Sequence, residues 1–260
     1  MNIRPIKTNI VSSDQCELTV LLDRYVPRLS EKSILAVTSK IVSLCEGNVI
    51  KIGKKDKNTL VQQESQFFIP PEKNPRGITL TITNDLLVPT AGIDESNGNG
   101  YYILWPRDPY ASAKTIREHL AHTRGLTDVG VLITDSKTTP MRWGTTGITL
   151  SYAGFTGIND FIGKPDLFDR PMEVTKVNVA DGLAAAAVVC MGESNEQTPL
   201  AVITDIPFVT FDKNMPSTEG LKEWQIPMEI DLYGPLLQSP LWKKGKRHHL
   251  SGWRDSSTKG

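Results

Sequence analysis

Val129-Gly130-Val131-Leu132-Ile133-Thr134-Asp135-Ser136-Lys137-Thr138-Thr139-Pro140-Met141-Arg142-Trp143-Gly144 is the stretch from which the fold class follows. Val129 to Thr134 is an apolar run of strand length, and it ends in a carboxylate, Asp135. Such a run reads as a buried strand. A carboxylate at its C-terminal end falls where open α/β sheets place ligand sites. Just upstream, Asp108-Pro109 is a helix start, with Asp as N-cap and Pro at the first helical position. Ala113, Ile116 and Leu120 form one face of that helix, and Gly125 sits where its stop is expected. Helix followed by buried strand predicts an α/β protein.

Working outward, Ile34 to Val37 reads as another buried strand. It leads into Thr38-Ser39-Lys40 and a short helix that Gly47 terminates. Asn48 to Ile52 reads as a further strand. Nearer the start, Ser12 and Gln15 have capping-box spacing, with Leu18, Leu21, Leu22, Tyr25 and Val26 as a buried helical face and Pro27 ending it. Residues 53–77 are loop-like, with Pro70, Pro71 and Pro75. Ile78 to Ile82 alternates as a half-exposed strand, and Thr83-Asn84-Asp85 turns it into a hairpin with Leu86 to Val88. Downstream, Ile148 to Tyr152, Val174 to Val179 and Ala201 to Thr204 read as strands. Gly182 to Met191 is apolar nearly all round and reads as a buried helix, N-capped by Asp181 and carrying an inert Cys190. Beyond Phe211 the pattern weakens.

The chain has 260 residues, with 29 Lys and Arg against 29 Asp and Glu. At 39% hydrophobic and 22% charged it is neither disordered nor a strongly basic nucleic-acid binder. Its five tryptophans form no stacking array that would support nucleic-acid binding. No apolar run reaches the roughly 20 residues that span a bilayer. Met1-Asn2-Ile3-Arg4-Pro5 lacks a signal-peptide core, so a cytoplasmic protein is expected. Cys16, Cys45 and Cys190 are far apart, without CxxC spacing, and read as free thiols.

The common nucleotide and nucleophile motifs are absent: there is no P-loop, no G-x-G-x-x-G and no G-x-S-x-G. Gly98-Asn99-Gly100 and Gly144-Thr145-Thr146-Gly147 read as plain turns. Three polar patches remain. Thr38-Ser39-Lys40 follows a buried strand, where a lysine, hydroxyls and helix N–H groups can hold phosphate oxygens. Ala91-Gly92-Ile93-Asp94-Glu95-Ser96-Asn97 offers oxygen ligands of the kind hard cations take. In Thr134 to Gly144, Asp135 is followed by Ser136, Thr138 and Arg142, a mixture that suits a phosphate beside a metal ion. Taken singly, each patch has an ordinary reading, as a capped helix start, a solvated turn or a strand-end cap. Together they hold the parts that metal-assisted phosphoryl transfer needs. His119 and His122, three apart on a helix, read as solvated surface.

The order of several segments adds a resemblance. Val37-Thr38-Ser39-Lys40, Ala91 to Asn97, Asp108-Pro109-Tyr110-Ala111-Ser112-Ala113, Ile133-Thr134-Asp135-Ser136, Arg142 to Gly147, Asp181 to Ala187 and Met191-Gly192-Glu193 occur in sequence. Over roughly residues 5–210 the chain resembles the coenzyme F420-0 gamma-glutamyl ligase family. Gly100 to Pro106 and Asn195 to Pro199 resemble a bacterial branch associated with folate metabolism. The resemblance implies an α/β (mixed) fold of two intimately packed lobes and an intertwined homodimer. It divides the chain into a catalytic unit over 1–211, an extension packing on it over 212–242, and a flexible basic tail over 243–260.

The activity so implied joins the amine of L-glutamate to a carboxylate acceptor, F420-0-like or folate- or pterin-like. GTP or ATP is co-substrate, with two divalent ions, Mg2+ or Mn2+, and K+ as a further candidate. Carried over by motif, Asp94 and Asp135 are ligands of the first metal, and Ser136 and Glu193 belong to the second. Ser39, Lys40 and Asn97 contact the nucleotide, with Thr138 and Arg142 added from the third patch. Asp94, Asp135 and Lys40 are the catalytic candidates. Thr8 to Val11 matches a family nucleotide loop weakly, and a second family lysine falls at Leu44, which is apolar. The competing readings are a metal-dependent phosphohydrolase and a non-enzymatic nucleotide-binding module. The neutral total charge also divides: residues 243–260 carry six cations against Asp255, a net +5, which leaves −5 on residues 1–242.

Overall fold

The computed structural model describes residues 1–26, 28–217 and 224–247. Pro27, expected to end the first helix, lies outside them, as does the tail beyond Arg247. In chain order the elements are β1 (Asn2–Ile6), α1 (Leu18–Tyr25), β2 (Ser33–Thr38), α2 (Ser39–Cys45), β3 (Val49–Lys51) and α3 (Lys57–Glu64). Next come β4 (Phe67–Ile69), β5 (Leu80–Thr83), β6 (Leu86–Pro89), β7 (Tyr101–Ile103), α4 (Pro109–Arg124) and β8 (Val129–Thr138). The chain continues through β9 (Thr145–Ala153), β10 (Ile158–Asp160), β11 (Lys176–Asn178), α5 (Val179–Met191) and β12 (Leu200–Thr204), then α6 (Gly234–Leu237) and β13 (Lys243–Lys244). The fold is mixed α/β, as expected. It divides into two compact units, residues 1–49 with 105–225 and residues 50–104 with 226–260.

The first unit is built on a five-stranded sheet of order β1-β12-β2-β8-β9. Only β2 and β8 run parallel, with Ser33 opposite Val129 and Thr38 opposite Thr134. Both central strands are fully buried along their apolar runs, which is why each reads as unbroken hydrophobic sequence. Side chains alternate across the sheet. Ile34, Ala36, Leu132, Ala201 and Ile203 face α5, and they form one core with its Ala180, Leu183, Ala184 and Ala187. Helix α4 follows expectation closely. The Asp108 carboxylate accepts the Ala111 N–H at 2.9 Å, Ala113, Ile116 and Leu120 are buried, and Gly125 closes the helix at φ +65°.

The second unit carries the four-stranded antiparallel sheet β13-β4-β5-β6, the β3–β7 pair and helix α3. The β5–β6 hairpin turns at Asn84 and Asp85, both left-handed, with φ of +50° and +60°. Asp85 and Gln66 exchange two hydrogen bonds across the turn. The start of the basic segment is docked in this unit. Lys243 and Lys244 pair with Phe68 and Phe67, and Arg247 reaches Glu64 at 2.9 Å. A backbone approach of this kind completes an edge that would otherwise expose unpaired N–H and C=O groups.

Several expectations need correction. The first helix begins at Leu18, not at Ser13. Ser12 makes no capping hydrogen bond, and a separate 3-10 turn spans Ser13–Gln15. The strand near Val174 is only Lys176–Asn178 and is exposed throughout. It pairs with β10 in a hairpin whose Asp160 meets Lys176 at 2.9 Å. The Lys176 hydrogen bond and the Ile162 N–H hold the Asp160 carboxyl below the usual carboxylate range. The β5 strand is more enclosed than its alternation suggested, with Thr81, Ile82 and Thr83 all buried. Cys16 and Cys45 are joined as a disulfide, with Cα atoms 4.5 Å apart, rather than free. Cys190 is free but exposed, not buried. Helix α5 starts at Val179 and is capped by Asn178, whose carboxamide oxygen accepts the Asp181 N–H at 2.9 Å. One face of α5 is open, since Val189 is 80% exposed. Among the described residues no helix is long and apolar enough to cross a membrane.

Gly147, expected in a plain turn, lies inside β9, against α5. A methyl group there would meet the Ala184 carbonyl oxygen at 2.4 Å and the Val188 side chain at 2.7 Å. The backbone oxygen cannot move aside without shifting the helix. Gly147→Ala is therefore expected to cost about 1–3 kcal/mol in urea denaturation. Gly182→Ala, on α5 with open space around its Cβ, should instead gain up to about 1 kcal/mol.

Candidate functional site

The parallel pairing of β2 with β8 sets Thr38 beside Thr134. Ser39-Lys40, which open α2, and Asp135-Ser136, which continue β8 beyond its pairing with β2, therefore lie at the same end of that strand pair. Two patches almost a hundred residues apart in sequence become neighbours through this register. The antiparallel neighbours add to the same end. Leu200, opening β12, lies across from both Val37 and Ile6, and the Thr38 N–H donates to Pro199 O at 3.0 Å. The loop before β12 thereby brings Glu193, and the Ser136 hydroxyl donates to Glu193 Oε2 at 3.3 Å. Thr8, from the weakly matched segment, follows β1 at this end and donates its N–H to Gln197 O at 2.9 Å.

Alternation directs these side chains. Leu132 faces α5, so Thr134 and Ser136 share that face while Ile133 and Asp135 take the other. The β8–β9 ladder shifts register between Ile133 and Thr134. Ile133 pairs with Ser151 but Thr134 with Thr149, which leaves Leu150 as an extra residue on β9. Such bulges sharpen twist and re-aim neighbouring side chains. Asp181 stabilises this one. Its Oδ1 accepts the Thr149 N–H at 2.8 Å, while its Oδ2 accepts from Asn178 Nδ2 at 2.8 Å. Asp181 is thus a strand anchor within α5 and not the N-cap. The Asp135 carboxylate is held on both oxygens: Oδ1 accepts the Ser136 N–H at 2.8 Å, and Oδ2 accepts the Trp105 indole N–H.

The remaining site residues of this unit are spread differently. Ser39 is buried at the first turn of α2, and Lys40 is half-buried beside it. Leu44, one turn on, is buried, so an apolar residue at that position serves the core. Thr138 and Arg142 lie on the exposed limb of the β8–β9 hairpin, beyond Asp135. His119 bonds Asp23 Oδ1 at 3.0 Å, on a half-buried helix side, which accounts for it without a metal.

In the second unit, Asp94 sits in a loop built by unusual backbone. Thr90, Ala91 and Gly92 are all left-handed, with φ of +53°, +54° and +70°. For a β-branched residue this is strained, at about 1–3 kcal/mol, and must be held by its surroundings. Thr81 supplies part of that hold. Its buried hydroxyl accepts the Ala91 N–H at 2.9 Å and donates to Val88 O at 2.6 Å. Asp94 then bridges Ile103 through both backbone groups, at 3.0 and 2.7 Å. The Asp94 carboxylate accepts from Ser96 N–H at 2.7 Å and from Ser96 Oγ at 2.8 Å. Asn97 is exposed and left-handed, and Gly98 is required next, because a Cβ there would meet Tyr101 O at 2.3 Å. Glu95 pairs with Lys57 at 3.0 Å.

The donor chemistry at the sheet end is all oxygen: the carboxylates of Asp135 and Glu193 and the hydroxyl of Ser136. Asp94 offers the same kind of donor in its own unit. That set suits Mg2+ or Mn2+ and does not suit a soft metal. Among the described residues no group of three or more His, Cys, Asp or Glu side chains gathers as a metal cluster. Thr81 lies outside every motif, while Trp105 and Asp181 lie within the resembling segments but without the roles that the structure gives them. The signal for Trp105 was an indole directly before Pro106, at the end of a short apolar strand, where a buried N–H needs a partner.

Fold and site together define an α/β protein with a lysine, hydroxyls and carboxylates collected where the parallel pairing of two strands ends. Residues 5–205 match the family described as F420-0:Gamma-glutamyl ligase. The coenzyme F420:L-glutamate ligase of Methanococcus maripaludis strain C7 is 32% identical over 213 residues, covering 76% of this chain and 85% of that protein. The enzyme of that name from Methanothermobacter thermautotrophicus is 31% identical over 227 residues, covering 79% and 86%. That from Haloarcula marismortui is 40% identical over 119 residues, covering 45% and 46%. The chain belongs to the F420-0:Gamma-glutamyl ligase family.

The Thr81 contact gives a direct test of how the Asp94 loop is held. Thr81→Val leaves a buried N–H unsatisfied, at a cost of about 1–3 kcal/mol in thermal denaturation. Faster hydrogen exchange at the Ala91 amide should accompany it. Thr81→Ser, which keeps the acceptor, should restore most of the protection.

Proposed function

We propose that the protein is a metal- and nucleotide-dependent gamma-glutamyl ligase. It would join the amine of L-glutamate to a carboxylate acceptor of F420-0-like or folate- or pterin-like chemistry. The observation that carries this reading is the Thr38–Thr134 register, which puts Ser39-Lys40 beside Asp135-Ser136 with Glu193 against Ser136. Family membership supplies the reaction class, and the relatives' name supplies glutamate as the amine donor.

A carboxylate resists attack by an amine because oxide is a poor leaving group. Transfer of the γ-phosphoryl group of GTP or ATP to the acceptor carboxylate breaks the bond to the β-phosphate, releases GDP or ADP and gives an acyl phosphate. The neutral glutamate amine then attacks its carbonyl carbon, the C–N bond forms, phosphate departs with the bonding pair, and the amine gives up a proton to water or phosphate. In this reading Lys40 and the Ser39 hydroxyl orient phosphate oxygens, and Lys40 offsets their charge. Asn97 contacts the nucleotide, and Thr138 and Arg142 bind phosphate from the exposed hairpin. Asp135, Ser136, Glu193 and Asp94 are the oxygen ligands that would hold Mg2+ or Mn2+. Bound divalent ions would supply positive charge to the phosphoryl oxygens. K+ is a candidate third ion. Without cations, Asp135 and Glu193 at one sheet end would repel an anionic nucleotide.

A homodimer goes with this reading. Met141 and Trp143 at the hairpin tip are 97% and 90% exposed, and Leu167 on the β10–β11 hairpin is 98% exposed. Phe168 and Val189 are 77% and 80% exposed as well. A cytoplasmic location also accompanies it.

The test incubates the protein with Mn2+ or Mg2+, GTP or ATP, L-glutamate and a panel of F420-0-like, folate and pterin acceptors. Mass spectrometry should show an increment of one glutamate residue. Asp94→Asn and Asp135→Asn should each lower the rate on the order of 100-fold or more. Nucleotide turnover that ignores glutamate would make it a phosphohydrolase. Binding without turnover would make it a nucleotide-binding module.

A further inference from the structure

Trp105 belongs to none of the roles described so far, yet it is one of the best-enclosed aromatic residues, at 2% exposure. Its indole N–H donates to Asp135 Oδ2, while Asp135 Oδ1 takes the Ser136 N–H at 2.8 Å. The backbone that carries the ring is held in turn. Asn48 Nδ2 donates to the Trp105 carbonyl at 2.7 Å. Two residues on, the Arg107 N–H donates to Glu46 Oε2 at 3.0 Å, and Ser112 Oγ donates to Glu46 Oε1 at 2.6 Å. Glu46 and Asn48 flank the end of α2, so the helix that opens with Ser39-Lys40 also fixes the segment that carries Trp105.

We propose that Trp105 is a positioning residue for Asp135, setting the orientation in which that carboxylate receives a divalent cation. The inference rests on the reading of Asp135 as a cation ligand. The choice of donor fits the task. An indole N–H is neutral and donates only, so it fixes the carboxylate plane without cancelling its charge. A lysine or arginine at this place would compete with the cation. Each carboxylate oxygen has two lone-pair directions, so a hydrogen bond and a metal bond on one oxygen are compatible. Partners that orient metal ligands in this way typically contribute 10–100-fold in metal affinity.

The test uses the full-length protein and Mn2+ as the probe. Trp105→Phe keeps an aromatic ring and removes the N–H. Calorimetric titration should show Mn2+ affinity weakened about 10–100-fold, and activity, where measured, should recover as Mn2+ is raised. Five tryptophans give five indole N–H signals in a 15N-labelled sample. The signal lost in Trp105→Phe should lie downfield in the metal-free wild type and move upfield in Asp135→Asn, which needs no change at Trp105. Wild-type Mn2+ affinity in Trp105→Phe, or an indole signal indifferent to Asp135→Asn, would overturn the proposal. If Asp135→Asn itself leaves Mn2+ binding intact, the ligand reading fails instead. A lower melting temperature with unchanged Mn2+ affinity would assign Trp105 to packing alone.

Discussion

The parallel register of β2 on β8 is the constraint on which the first unit depends. It is the one parallel pair in an otherwise antiparallel sheet, and it aligns two buried apolar runs residue for residue. Because the strands run the same way, their pairing ends at Thr38 and Thr134 together. Burial eases just beyond, where Lys40, Asp135 and Ser136 are only half-buried, which lowers the cost of placing charged and polar groups there. A one-residue slip would turn Asp135 toward α5 and Ser136 away from Glu193. The apolar packing of Leu132, Ile34 and Ala36 against α5 excludes that slip, so the core specifies the chemistry at its edge.

The elements around this edge act as supports. Asp181 holds the bulge opposite Thr134, Trp105 holds Asp135, and Gly147 lets α5 approach β9 closely. In the second unit, Thr81 performs a comparable service for the strained turn before Asp94. Thr81 and Asp181 each accept a backbone N–H and make a second hydrogen bond beside it. Each is cheap for the fold to keep once its neighbours are packed, and costly to lose, since a buried donor is then left unsatisfied.

Much of this was legible in sequence. Helix α4 was read almost end to end, because its N-cap, its apolar face and its αL glycine are local signals. The strands β2 and β8 were visible as apolar runs. The patches at Lys40 and Asp135 can be picked out by composition and Glu193 through the family resemblance, but their meeting at one sheet end depends on strand pairing, which no local pattern encodes. Strand β1 escaped notice because it is short, mostly exposed and contains Pro5. The Cys16–Cys45 link spans 29 residues and arises from how the Ser13–Gln15 turn and α2 pack, not from a spacing motif. Asp181 was assigned to the wrong job because an acidic residue at the third helical position resembles an N-cap in sequence. The apolar composition of α5 suggested burial on every side, whereas Val189 and Cys190 form an open face.

The central claim is that the end of the β2–β8 pair is where the divalent cation binds. Paramagnetic broadening by substoichiometric Mn2+, read on assigned backbone amides, tests it most directly. The account predicts that Lys40, Ser136 and Glu193 broaden first, while the β10–β11 hairpin and Asn2, at the far end of β1, stay sharp until much more Mn2+ is present. Early broadening centred on any other part of the first unit, with Ser136 and Glu193 unaffected, would contradict it.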